Sequence, residues 1–536
     1  MLSFDPLSYP YPSRRNLVYA AHGMAASSHP LATEAGLRIL RSGGNAVDAA
    51  LAVAAALTVL DPANCGPGGD CFAIVQQRGA KLFGLNSSGF SPALFDKEAV
   101  TARGYDAVPF DGWLPVTVPG APAAWCALNR RFGSLPLTEV FAPAVELSEG
   151  YALSPDNADI LNLNSAEIAG LTPQHPELDE WFSLFNPERK RFRAGELYAL
   201  PDLGRTLQEI ARTGGESFYR GALADEMSRY SAASGGLLRQ EDLAAYEPRW
   251  VAPIHTRYRG CDVWELPPNG QGLTALMALN ILERFQYTGR DDPRTLHLQM
   301  EALKLAFSDA LHEIADPAYM RRTIGELLSR DYAAERSHLI SPSAQIYAPG
   351  RPQGSDTVYF CTADSDGNMV SMIQSLYRNF GSRVVVPGTG ICLQDRGACF
   401  SMQDGHVNMA APRKYPYHTI IPGFLTKDSA PVGPFGIMGG YMQPQAHVQF
   451  LMNMLDFGLN PQAALDAPRF CWQQGLEVYM ESAFSDETVA ALRERGHEIR
   501  IVDDRTYGRG QAIFRTSDGT LCGATEPRAD GCVLGC

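Results

Sequence analysis

Positive charge is scarce and paired cysteines are absent. Fifty-nine aspartates and glutamates outnumber 45 lysines and arginines, and the net charge of −14 argues against a nucleic-acid or anionic-membrane partner, since both need a basic footprint. The eleven cysteines include no C-x-x-C pair. An odd number spread singly fits reduced thiols better than a disulfide framework or a zinc site. The longest apolar run, AALAVAAALTVL between Asp48 and Asp61, is too short to span a bilayer and predicts a core helix. The opening segment holds prolines and charges where a secretory signal needs an apolar stretch, so a cytoplasmic protein is expected. P-loop, H-E-x-x-H, G-x-S-x-G and EF-hand patterns are missing, which leaves no motif for a cofactor or metal. GPGGD at 66–70 lacks the spacing of a nucleotide loop and reads as a tight turn.

What is present suits a sizeable core, with 45% hydrophobic and 19% charged residues. Residues 29–62 predict two helices: Leu31, Ala35, Leu37 and Leu40 fall at helical spacing, Gly43-Gly44 stop the first helix, and Asn45 caps the second. CFAIVQQ and KLFGLNSSG read as strands, and helical patterns dominate from about Pro115 to Phe307 around a strand-like HTRYRGCDVWELP. A Pro/Gly/Ser-rich stretch from Ser341 predicts an exposed connector. β patterns follow: TVYFCTA, a turn at Asp366-Gly367, MVSMIQSL, TIIPGFLT and GPFGIMGG, then a helix, PQAHVQFLMNMLDFG. Strands apolar on both faces, with flanking helices, predict a four-layer αββα sandwich of the α/β class.

Asp356-Thr357 stands between the connector and the first of those strands. Either it caps the strand or the chain is cut there. Cleavage would free a Thr357 α-amine, which titrates near neutrality. One residue would then carry both nucleophile and general base. A two-residue turn at Asp366-Gly367 would bring Ser375 close to Thr357.

These segments carry a resemblance to the γ-glutamyltransferase family of N-terminal-nucleophile hydrolases. GMAASSHPLATEAGLRILRSGGNAVDAALAVAAALTVLDP resembles the family's N-terminal signature, DTVYFCTADSDGNMVSMIQSLYRNFGS its nucleophile region, and YPYHTIIPGF and FGIMGGYMQPQ its later active-site segments. The resemblance implies self-cleavage between Asp356 and Thr357. It would give a large subunit 1–356 and a small subunit 357–536, which form one heterodimeric domain. It implies Thr357 as nucleophile, Ser375 as a supporting hydroxyl, and Gly439-Gly440 as backbone donors to the oxyanion.

The departures from the family concern the substrate. Ser88 stands where the family has the arginine that grips the donor's α-carboxylate, and Cys399 where it has the carboxylate for the α-amino group. Arg396 replaces a glutamine, Tyr377 an asparagine, and His418-Thr419 a pair of serines. An ammonium that loses its carboxylate loses a charge-assisted bond of roughly 1.5–3 kcal/mol. A site with Arg396, His418 and nearby Arg378, Arg383, Arg413 or Lys414 suits a small anionic amide without an amino group. The branch that fits is similar to oxamate amidohydrolases, which form oxalate and ammonia. A γ-glutamyl hydrolase or transferase, a glutaryl-amide (cephalosporin) acylase and an unprocessed binding protein are the alternatives.

Overall fold

The computed structural model describes residues 15–347, 356–503 and 505–536. Residues 1–14, and residues 348–355 of the expected connector, lie outside the described residues. Two seven-stranded sheets form the centre. One runs from edge to edge through Cys532–Gly535, Gly23–Ser27, Asp356–Asp364, Met369–Tyr377, Asp70–Gln76, Leu82–Ser87 and Arg249–Val251. The other runs through Val18–Ala20, Leu521–Thr525, Arg509–Arg515, Ala430–Met438, Gly423–Lys427, Cys261–Glu265 and Ile254–Tyr258. Every pairing in both is antiparallel. Phe72, Tyr359 and Ile373 of the first sheet meet Phe424, Met438 and Ile513 of the second in a buried seam.

Helices close both outer faces. Ala46–Leu60 is buried along its whole length against strands Asp356–Asp364 and Met369–Tyr377. Each buried Val or Leu of that helix contributes about 1.5–3 kcal/mol of apolar burial. Its expected cap forms: the Asn45 side chain accepts from Val47 and Asp48 N–H, and the Asp48 carboxylate takes Asn45 N–H in return. Helices Gly272–Leu282 and Met442–Leu455 cover the second sheet, with Pro293–Glu313 packed outside the first of them. The αββα layering is as the sequence predicts. No helix among the described residues is long and apolar enough to cross a membrane.

Two details differ from the sequence reading. The hairpin turn holds three residues, Ser365–Gly367, because the Asp364 carboxylate takes both the N–H and the side-chain amide of Asn368 and closes the loop there. The same carboxylate accepts Ala46 N–H, which ties the turn to the start of the buried helix. The strand expected at TIIPGFLT begins only at Gly423. Side chains occupy the backbone before it: Gln271 donates to the Thr419 carbonyl, and Gln443 accepts Ile421 N–H.

Candidate active site

The ladder between Asp356–Asp364 and Met369–Tyr377 slips at Thr357. Asp356 pairs with Tyr377 and Val358 with Gln374, so Ser375 and Leu376 together oppose the single residue Thr357. A bulge of this kind re-aims side chains. Thr357 Oγ1 donates to Ser375 Oγ at 3.1 Å, and that oxygen also takes Tyr377 N–H at 2.8 Å. Thr357 and Ser375 are fully buried. Just before the neighbouring strand Asp70–Gln76, Gly69 lets the backbone pass close by; a Cβ there would stand 2.4 Å from the Ser375 carbonyl oxygen. The expected turn in GPGGD is closed by Gly69 N–H on the Gly66 carbonyl.

Arg396 comes from a single turn of 3₁₀ helix, Arg396–Cys399. Its Nη1 donates to Thr419 Oγ1 at 2.7 Å and its Nη2 to Ser375 Oγ at 3.3 Å. The guanidinium lies 4.3 Å over the Tyr377 ring. Tyr377 holds φ +87, a left-handed backbone that a bulky side chain adopts only under constraint. Arg396 is 0% exposed, and its Nε has no acceptor. Among the described residues it makes no ion pair within 4 Å; Asp70 and Asp395 act on it only through space.

Asp70 is the cross-strand partner of Ser375. Its Oδ1 accepts from Gly89 N–H, Gly120 N–H and Gln394 Nε2, and its Oδ2 meets His418 Nε2 at 2.9 Å. Burial pushes its pKa up to about 7, against the pull of Arg396, Gln394 and the two amides. His418 Nδ1 takes Ile420 N–H, so the ring proton sits on Nε2 and points at Asp70. Burial, with Arg396 and Arg249 nearby, holds the imidazole pKa well below its ordinary value. His418 is therefore neutral at this site, which corrects its expected place among the cations.

Gly439 and Gly440 follow strand Ala430–Met438 at φ +131 and +57. A Cβ on Gly439 would also meet Gly508 Cα at 3.0 Å. Gln271 Nε2 donates to the carbonyls of Thr419 and Gly440, and so fastens the glycine corner to the residue that Arg396 holds. Thr357, Ser375, Tyr377, Arg396 and Thr419 thus form one contact chain, which Gln271 extends to the glycine pair.

The other expected cations are engaged elsewhere. Arg383 pairs with Asp111 and Glu167, Arg413 pairs with Asp242, and Lys414 Nζ sits on the Val407 and Met409 carbonyls. Arg378 stacks on Phe110. Burial raises the pKa of the Cys399 thiol, which lies beside Tyr377 and Arg396. Arg249 escaped the sequence reading. It reaches Ser88 Oγ at 3.5 Å, donates to Asn269 Oδ1 at 2.9 Å and stacks 3.7 Å over Tyr415. Nothing in its setting, EPRWV, announces this, because the contacts join distant segments.

His297, Glu301 and His497 are the one cluster among the described residues with metal-ligand reach. The Lys304 ammonium already meets Glu301 at 2.7 Å and supplies the cation there.

Residues 32–536 match the family model described as Gamma-glutamyltranspeptidase. The chain is 36% identical to the glutathione hydrolase-like YwrD proenzyme of Bacillus subtilis (strain 168), over 96% of this chain and 98% of that protein. It is 32% identical to the oxamate amidohydrolase proenzyme of Klebsiella pneumoniae, over 96% and 99%. The crystal structure of cephalosporin acylase from Bacillus halodurans is 50% identical and superposes with a TM-score of 0.96, covering 100% of this chain and 99% of that one.

Proposed function

The chain belongs to the gamma-glutamyltranspeptidase family, and from that membership we propose that it hydrolyses small amides whose acyl part carries a carboxylate, oxamate first among them. Like its relatives it is an N-terminal-nucleophile amide hydrolase made as a proenzyme. Cleavage before Thr357 releases residues 1–356 and 357–536, which stay together as a heterodimer. The new α-amine of Thr357 takes the Oγ proton while the oxygen attacks the amide carbonyl. The Gly439 and Gly440 N–H groups receive the oxyanion. The amine passes its proton to the departing nitrogen, the C–N bond breaks, and ammonia leaves an ester on Thr357. Water, deprotonated by the same amine, hydrolyses that ester to the free acid and restores the hydroxyl.

The observation that carries the substrate class is the buried, unpaired guanidinium of Arg396, two hydrogen bonds away from Thr357 Oγ1. Burying an ion without a counter-charge costs several kcal/mol. A substrate carboxylate offsets that cost and gives Nε its missing acceptor. The short path from Arg396 to the nucleophile favours an acid group directly beside the scissile carbonyl, as in oxamate. Cys399 and Arg396 offer no carboxylate to a substrate ammonium, which places γ-glutamyl donors second. The likeness to a cephalosporin acylase favours a third reading, a longer glutaryl group.

Processed protein is incubated with oxamate and with γ-glutamyl-p-nitroanilide, and released ammonia, oxalate and p-nitroaniline are measured. Oxalate and ammonia form in equal amounts, and Arg396→Met lowers kcat/KM for oxamate at least a hundredfold. Turnover of the γ-glutamyl compound alone overturns the reading.

A further inference from the structure

We propose that Arg249 is a second carboxylate anchor, which takes the far acid group of monoamides of diacids longer than oxamate. The inference rests on the reading of Thr357 as nucleophile toward anionic acyl groups. Arg249 opens the strand at the edge of the sheet that carries Thr357, where it pairs with Asn86 two residues before Ser88. Its side chain leans back over that neighbouring strand to Ser88. Thr357, Ser375, Asp70, Ser88 and Arg249 consequently follow one another along the same end of five adjacent strands.

The guanidinium is held but not neutralised. Asn269 fixes one nitrogen and Tyr415 supports the plane, yet Arg249 makes no ion pair among the described residues, and its buried Nε has no acceptor. Two acids whose charge reaches the Tyr415 ring have other partners: Asp316 takes Tyr415 N–H, and Asp70 takes the Gly89 and Gly120 amides and Gln394 and meets His418. Arg249 is half-buried, so it is open to a ligand, and its charge, like that of Arg396, is felt at His418. A planar guanidinium with a free edge is the group best shaped for a carboxylate.

Distance separates its role from that of Arg396. Arg396 touches the residue next to Thr357, whereas Ser88, where Arg249 ends, is three strands from the nucleophile, on the order of 14 Å between backbones at about 4.8 Å per strand. The Thr357 side chain and a contact of about 3 Å at each end shorten that gap to what a five-carbon diacid spans. A two-carbon acid does not bridge it. The two arginines therefore sort acyl chains by length.

Kinetics with oxamate and with glutaryl-p-nitroanilide decide the matter, using Arg249→Met, which keeps the stem on Tyr415, and Arg249→Lys, which keeps the charge. Circular dichroism and subunit processing on a gel confirm that each variant folds. The ratio of KM for the glutaryl amide to KM for oxamate rises at least tenfold in Arg249→Met, and Arg249→Lys falls between it and the parent. A ratio that stays fixed, or kcat values that fall alike for both substrates, overturns the proposal and leaves Arg249 a structural stack. If the parent hydrolyses only oxamate, the Arg249 proposal fails and the short-acid reading stands. If it hydrolyses only the glutaryl amide, the short-acid reading fails and the KM of Arg249→Met for that amide, raised tenfold or unchanged, still decides. If it hydrolyses neither, both fall.

Discussion

Thr357 and Ser375 face each other across a slipped register, their hydroxyl oxygens 3.1 Å apart. Ser375 Oγ gathers donors from Thr357, Arg396 and the Tyr377 backbone, so it fixes the proposed nucleophile and the buried cation to one point. Replacing it by alanine strands those donors, each worth about 1–3 kcal/mol when buried without an acceptor. Ser375→Ala is expected to lower kcat/KM for oxamate 10- to 100-fold and to slow self-cleavage. A time course on a denaturing gel, alongside steady-state assays, checks both; parent-like values in both would remove Ser375 from the machinery.

Thr357 is the second residue of strand Asp356–Asp364, directly after the residue at which the proposed cut is made. Thr357→Ala is expected to leave one polypeptide of 58.3 kDa with no turnover. Thr357→Ser keeps a hydroxyl and an amine, so it is expected to cut and to retain reduced activity. N-terminal sequencing of the smaller parent chain should read Thr-Val-Tyr-Phe, and any other start sinks the assignment.

Asp70 is expected to add a titration to that of the proposed Thr357 amine. With its pKa pushed up to about 7, Asp70 gains a proton as pH falls through neutrality, and the His418 and Gln394 donors then lose a charged acceptor. The amine also needs its proton removed, in the same direction. The logarithm of kcat/KM should therefore rise with pH at a slope above one below about pH 7. Asp70→Asn should be less active at every pH, with a slope no greater than one. A parent slope of one throughout would show that Asp70 does not titrate with activity.

Much of this architecture was legible because local signals agreed. The Asn45 cap, the apolar helix after it and the two-faced strands around Asp366-Gly367 each have a local cause that the structure retains. The three-residue turn was not legible, because it depends on Asp364 binding Asn368 and Ala46 at once. That single-residue change is what puts Thr357 opposite Ser375. Charge at the site was harder still. Lysines and arginines near the motifs mostly serve other contacts, while Arg249 arrives from a strand with no motif, and the charge of His418 depends on burial that a sequence does not display.

Residues 341–347, the last described stretch before Asp356, lie in a clasp built from both sides of the proposed cut. His297 Nε2 is 2.8 Å from the Ser341 carbonyl and carries the proton there, so its bare Nδ1 accepts from His497 Nε2 at 2.9 Å. Glu301 accepts from Gln345 N–H and the Tyr347 hydroxyl, and Arg495 Nη1 donates to the Pro342 carbonyl. Burial and the cations around it push the His497 pKa down to about 3, and burial alone pushes His447 to about 3 and His29 to about 4. A histidine with a lowered folded pKa stabilises the fold fully above its unfolded value near 6.5; that stability is lost as pH falls from there toward the folded value. At pH 5 the loss is about 2 kcal/mol per histidine. His497→Gln, which can still donate to His297, should therefore lose less thermal stability than the parent between pH 7 and pH 5. Differential scanning of both in the uncut Thr357→Ala background measures the difference; equal losses would mean that His497 is not neutral in the folded protein.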